Sequence, residues 1–383
     1  MANTAARPEP VIDVPAAFAT SYLEARAKFR QAAHARGLAS IPHVHPHAAG
    51  AQGEELAVDV ALLGDSDARS MLVLLSGVHG IEGFCGSGCQ VALLQDETVV
   101  AAVRQSGAAV LFCHAVNPYG FSHLRRTNED NVDVNRNFRD FRQPIARNED
   151  YAGVHAIVVP DSWPPSRSNA AALGASVARH GMAKLQTIIT RGQSEFADGL
   201  FYTGLEPAWS NTVLRDVLKR HGAGRRALGW IDFHTGLGPW AHGEKIYSGR
   251  NDPAAIARAK AWYGVDVTSF YDGTSTSAPL TGVAYQAAID SCPDATFTGI
   301  ALEFGTLPLN QMLQALRADQ WLANHQRDVA EPLRSAIKRQ MRDAFYDDSA
   351  AWQAVVYGQA RTAVLQALRA LMAEPWRGAP VSW

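Results

Sequence analysis

The chain has 383 residues, longer than one average domain but within reach of a single large α/β core with insertions. Hydrophobic residues at 47% and charged residues at 19% fit a globular protein, and a formal net charge of -2 gives no sign of wholesale binding to nucleic acid or an anionic membrane. No signal-peptide core follows Met1 and no apolar run approaches the ~20 residues of a membrane span, so a cytoplasmic location is expected.

In chain order, residues 1–15 read as a loose arm. A helix is expected over 16–34, where Phe18, Tyr22, Ala25 and Phe29 follow a helical spacing. Pro42-His43-Val44-His45-Pro46-His47 alternates histidines, but its prolines bar a helix and no carboxylate adjoins it, so it reads as a surface linker. Residues 55–63 alternate like a strand, and 70–76 are continuously apolar, as suits a strand covered on both faces. A helix should follow over 84–94 and another buried strand over 108–115, which makes a parallel crossover unit. The four cysteines, Cys85, Cys89, Cys113 and Cys292, lack paired-ligand spacing and read as small buried thiols.

Residues 117–138 are too rich in Asn and Asp for a regular element, and carry Arg125, Arg126 and Arg136. An irregular stretch follows to 166, then one or two helices over 169–189. A loop over 191–204 with Phe196, Phe201 and Tyr202 reads as a rim or lid, and a helix is expected over 209–221. Strands are expected over 228–233, 245–248 and 298–302, with helices over 253–263 and 281–289. Helical patterns over 309–338 and 352–372 should pack on the sheet. The expected fold class is α/β, with a mixed, largely parallel central sheet flanked by helices. The expected organisation is an N-terminal arm and helix (1–50), a catalytic core (51–345, with an insertion at about 139–205) and a C-terminal helical extension (346–383).

Four polar sites stand out. His79 with Glu82, His234 and Glu303 each directly follow a predicted buried strand, and the arginines lie on the loop after another. Parallel strands bring their carboxyl ends together, so these residues should share one cleft. Two His and one Glu with an open fourth position make a catalytic rather than a structural zinc site. A further carboxylate can take a proton there, and arginine supplies a planar charged donor for an oxyanion or carboxylate. Gly77, Gly80 and Gly83 would let the backbone turn both ligands onto one ion.

This order of motifs resembles the zinc carboxypeptidases related to carboxypeptidase A, over about 70–140 and 228–306. Asn117-Pro118-Tyr119-Gly120 with Asn135-Arg136-Asn137-Phe138 resembles a bacterial branch of that superfamily, similar also to succinylglutamate desuccinylase and aspartoacylase. The resemblance implies a phosphorylase/hydrolase-like fold, with Zn2+ held by His79, Glu82 and His234. It implies Glu303 as general base toward a metal-bound water, and Arg125, with Arg126 as a one-residue alternative, as the oxyanion arginine. Asn135 and Arg136 would grip a substrate carboxylate, and Tyr285, or else Tyr271, would cap it.

The interval from Arg125 to Asn135 is shorter than in the digestive enzymes, whose disulfides and leader are absent, so a small amide substrate is more natural than a protein. The expected activity is that of a metallocarboxypeptidase-like hydrolase cleaving an amide next to a free carboxylate. The alternatives are an N-acyl amino acid deacylase of the same chemistry, or a metal-free carboxylate-binding protein. The expected partner is a small peptide or N-acyl amino acid, with no nucleic acid or membrane; self-association is left open. Zinc is the default metal, although manganese or cobalt would suit the same donors.

Overall fold

The structure, a computed structural model, describes residues 12–145, 147–325 and 329–373. Most of the expected N-terminal arm and the end of the C-terminal extension lie outside these residues. Strands are numbered in chain order: β1 (Ile41–Ala49), β2 (Glu55–Leu63), β3 (Ser70–Leu75), β4 (Ala109–His114), β5 (Ala227–Trp240), β6 (Gly243–Ser248) and β7 (Thr296–Gly305). With the shortest helices unnumbered, the others are α1 (Tyr22–Ala35), α2 (Gly83–Gln95), α3 (Glu97–Ser106), α4 (Arg167–His180), α5 (Met182–Thr190) and α6 (Trp209–Gly222). After these come α7 (Pro253–Tyr263), α8 (Tyr285–Ser291), α9 (Leu309–Asn324), α10 (Glu331–Phe345) and α11 (Ala350–Met372).

The strands form one seven-stranded sheet in the order β1-β2-β4-β3-β5-β7-β6. The four central strands, β4-β3-β5-β7, are parallel, and β1, β2 and β6 join antiparallel at the edges. The fold class is thus α/β with a mixed, largely parallel sheet. The central strands are buried on both faces, and their side chains divide by the two-residue period of a strand. Leu72 and Leu74 join the core under α1, α2, α3 and α11, whereas Met71, Val73 and Leu75 pack with α6 and α8. The chain leaves β3 toward β4 on one side and returns through β5 on the other, so the carboxyl ends of β3 and β5 flank a topological switch point.

Some expectations change. Residues 42–47 are not a linker: they belong to β1, which among the described residues pairs only with β2. An edge strand tolerates Pro42 and Pro46 because one side of its ladder is open. His45 is buried with Nε2 3.0 Å from a Glu129 carboxylate oxygen. The pattern over 309–338 is two helices, α9 and α10, because Pro332 in the first turn of α10 cannot continue a helix but suits the start of one. β5 and β7 overrun their expected ends, so His234 and Glu303 sit inside the ladder, directly opposite each other. No helix among the described residues is long and apolar enough to cross a membrane.

Candidate functional site

The chain breaks out of β3 at Gly77, whose φ of +62° falls in the left-handed region that glycine adopts freely. Two residues on, His79 precedes the short 3-10 turn Gly80–Glu82. The arginine loop pins that turn: the Gly80 and Ile81 amides donate to the carbonyls of Arg126 (3.1 Å) and Arg125 (2.8 Å). Gly80 and Gly83 have ordinary backbone angles. A Cβ on Gly80 would lie 2.1 Å from the Gly120 backbone, and one on Gly83 would strike the Phe121 ring. Their smallness therefore serves close approach rather than the flexibility expected of them.

His79, Glu82 and His234 converge, with one donor atom from each within 4.8 Å of the others. Both oxygens of Glu82 are engaged: Oε1 is 2.9 Å from His79 Nδ1, and Oε2 is 2.9 Å from His234 Nδ1. Each imidazole turns its other nitrogen toward an aspartate. His79 Nε2 is 3.3 Å from Asp133 Oδ1, and His234 Nε2 is 2.8 Å from Asp232 Oδ2. A carboxylate behind each histidine fixes which nitrogen faces inward and raises its basicity, as behind metal-ligating histidines. Neither aspartate is among the site residues read from the sequence. Signals for both were present: Asp232 lies two residues before His234 on the same strand face, and Asp133 opens Asp133-Val134-Asn135-Arg136.

Arg126, not Arg125, faces this centre. Its Nη1 donates to Glu82 Oε1 (3.2 Å), its Nε donates to Asp133 Oδ2 (3.0 Å), and its Nη2 lies 2.7 Å from His79 Nε2. Arg125 turns the other way: its Nε donates to Asp319 on α9 at 3.1 Å, where Lys338 of α10 donates to the same carboxylate at 2.7 Å. Adjacent residues in an irregular loop have no periodicity to say which points inward. The Phe201 ring lies beneath two of these cations, 4.7 Å from the Arg126 guanidinium carbon and 5.7 Å from that of Arg136.

Asn135 and Arg136 line the same cleft. Asn135 Oδ1 accepts the Ala284 amide (2.8 Å), while Arg136 Nε donates to the carbonyl of Thr190 at the end of α5 (2.8 Å). Tyr285 lines the wall, whereas Tyr271 is not among the lining residues and its hydroxyl donates to the Gly249 carbonyl at 3.0 Å. Glu303 is buried beside the centre, and its Oε1 accepts the Leu237 amide at 3.0 Å.

The electrostatics suit a cation. Burial together with the charge of Glu82 raises Glu303 to about 8. Burial would raise Glu82 too, but His79 and His234 hold it well below the usual carboxylate range. Burial likewise opposes the charging of His234, yet Asp232 and Glu82 keep it well above an ordinary imidazole. Two imidazoles, each backed by an aspartate, converge on one carboxylate, which is the donor chemistry of a divalent cation site. Buried Asp232 Oδ1 has no hydrogen-bond partner at all. The donor set therefore fits a divalent metal.

A family model described as "Protein of unknown function (DUF2817)" matches residues 18–359. No curated protein matches the sequence. Solved structures to which the chain is similar include the thrombin activatable fibrinolysis inhibitor, at 13% identity and a TM-score of 0.46, covering 88% of this chain and 80% of that one. A metallo-carboxypeptidase from Pseudomonas aeruginosa matches at 13% identity, with a TM-score of 0.34 and coverage of 91% and 69%. A succinylglutamate desuccinylase from Silicibacter matches at 11% identity, with a TM-score of 0.34 and coverage of 80% and 69%.

Proposed function

The chain belongs to the family described as "Protein of unknown function (DUF2817)", and from the chemistry of its cleft we propose that it is a metal-dependent amide hydrolase acting next to a free carboxylate. The observation that carries this reading is the pairing of a His79/Glu82/His234 donor set with a separate carboxylate, Glu303, directly opposite His234 in the sheet. A zinc ion held by the three donors would supply Lewis acidity, lowering the pKa of a water at its open position to about 7. Asp133 and Asp232 orient the two imidazoles for that task. Asn135 and Arg136 anchor the substrate carboxylate, which holds the scissile carbonyl in one orientation beside the centre. Arg126 donates to the oxyanion that develops there; its contacts with Glu82 and Asp133 set its guanidinium in advance. Glu303 takes the proton of the attacking water and delivers it to the leaving nitrogen. Tyr285 closes the cleft over the anchored end.

The proposal covers a carboxypeptidase acting on small peptides and an N-acyl amino acid deacylase, which share this chemistry. Glu303→Gln tests it: hydrolysis of amide substrates should fall by about 10²–10⁴-fold, the usual worth of a general base. Full activity in that variant would end the proposal.

A further inference from the structure

The cleft holds about 1190 Å³ of space, part of it open to solvent, and its walls are strongly asymmetric. Beside Asn135, the wall is made by Trp230, Tyr247, Val283, Ala284 and Tyr285. On the other side stand two helices. Met182, Leu185, Gln186 and Ile189 follow a helical spacing along α5, and Leu309, Met312, Leu313 and Leu316 do so along α9, so each helix turns one face to the cleft. The two faces meet, because Leu313 and Leu316 pack onto the cluster that contains Leu185, Ile189 and Phe201. This wall begins at the base and ends at the arginine. Gly236, one residue before the Leu237 amide that binds Glu303, abuts Met312 and Phe345, and at the far end Phe201 underlies Arg126. The α5–α9 wall thus runs from Met312 beside Gly236 to Phe201 beneath Arg126, and it touches the anchor where Arg136 donates to the Thr190 carbonyl.

Among the described residues, the charged side chains that line the cleft are those of the centre itself: His79, Glu82, Arg126, Arg136, Asp232, His234 and Glu303. Gln186 is the sole uncharged polar side chain on the α5 and α9 faces apart from Thr190 at the end of α5. For a substrate held by its carboxylate at Asn135 and Arg136, with its carbonyl at Arg126, this wall offers the acyl portion a continuous apolar surface from Phe201 to Met312.

Resting on the hydrolase reading, we propose that the groove between α5 and α9 is the acyl subsite, and that it selects apolar acyl chains. The preferred substrates are then N-acyl amino acids with a medium-length fatty acyl group. Acids such as N-succinyl amino acids are rejected, because nothing on the wall would pair the second carboxylate.

The test measures both hydrolysis and binding. With N-acetyl-, N-hexanoyl- and N-succinyl-phenylalanine, kcat/KM of the zinc-loaded protein should rise about 100-fold from acetyl to hexanoyl, following the burial of four methylenes. The succinyl compound should rank lowest. Calorimetric binding of the same three to metal-free protein should show the same order. Leu313→Glu on α9 and Met182→Glu on α5, both at half-buried positions, should each flatten the rise to less than tenfold. Unchanged thermal unfolding in either variant suffices to attribute its effect to the groove. Hydrolysis with no preference for acyl length, or a preference for succinyl, overturns the subsite while leaving the hydrolase intact. Binding that strengthens with chain length without any hydrolysis supports the subsite and overturns the hydrolase.

Discussion

Arg125 and Arg126 are adjacent in the chain and have opposite surroundings, so replacing each with alanine separates chemistry from stability. Arg126 donates to Glu82 Oε1 at 3.2 Å and to Asp133 Oδ2 at 3.0 Å, and its Nη2 lies 2.7 Å from His79 Nε2. If it donates to the developing oxyanion, Arg126→Ala at saturating metal should lower kcat by about 10²–10³-fold, or ~3–4 kcal/mol, as for loss of one oxyanion donor. Arg125 instead shares the buried Asp319 with Lys338, at 3.1 and 2.7 Å. Breaking a buried pair outright costs about 3–5 kcal/mol, and with Lys338 still in place roughly half of that is expected for Arg125→Ala. Steady-state hydrolysis of an N-acyl amino acid, with urea unfolding of both variants, reads out the two effects. Arg125→Ala should keep kcat within about threefold, well short of a lost catalytic contact. A large loss of kcat in Arg125→Ala at native stability, with Arg126→Ala still active, would refute the reasoning.

The aspartates behind the histidines should matter to the metal: Asp133→Asn and Asp232→Asn are each expected to weaken zinc affinity by about 10–100-fold, measured by competition with a chromophoric chelator. Equal affinity in wild type and variants would show that these carboxylates do not support the ligands. A second prediction concerns pH. His114 is buried, stacks on Phe29 at 4.6 Å and has Nε2 2.8 Å from the Ser87 hydroxyl; burial pushes its pKa down to about 3 from 6.5. A folded-state value below the unfolded one means that its contribution is whole above pH 6.5 and is lost as pH falls toward 3. Between pH 6.5 and 4 the wild type should lose about 3 kcal/mol through this group, at ~1.36 kcal/mol per unit. His114→Phe should show a correspondingly shallower decline in urea unfolding over that range, and parallel declines would exclude the buried imidazole as the cause.

Much of this was legible in the sequence because strands impose a simple rule. The continuous apolar runs of β3, β4, β5 and β7 mark strands buried on both faces, and the polar residue following such a run stands at the carboxyl end of a sheet. His79, Glu82, His234 and Glu303 were found that way, and the structure brings all four together. Loops follow no such rule, so choosing between Arg125 and Arg126 required knowing where α9 and α10 place Asp319 and Lys338. β1 was missed because its prolines are penalised only in the interior of a sheet. The groove was missed for another reason: the apolar faces of α5 and α9 read equally well as core packing, and only their meeting across the cleft sets them apart.

The central claim is that His79, Glu82 and His234 form a metal centre. Calorimetric titration of zinc into metal-free protein tests it most directly. The account predicts one strong site per chain, abolished by His79→Ala and by His234→Ala. Absence of a strong site in the wild type, or one that survives both substitutions, would contradict it.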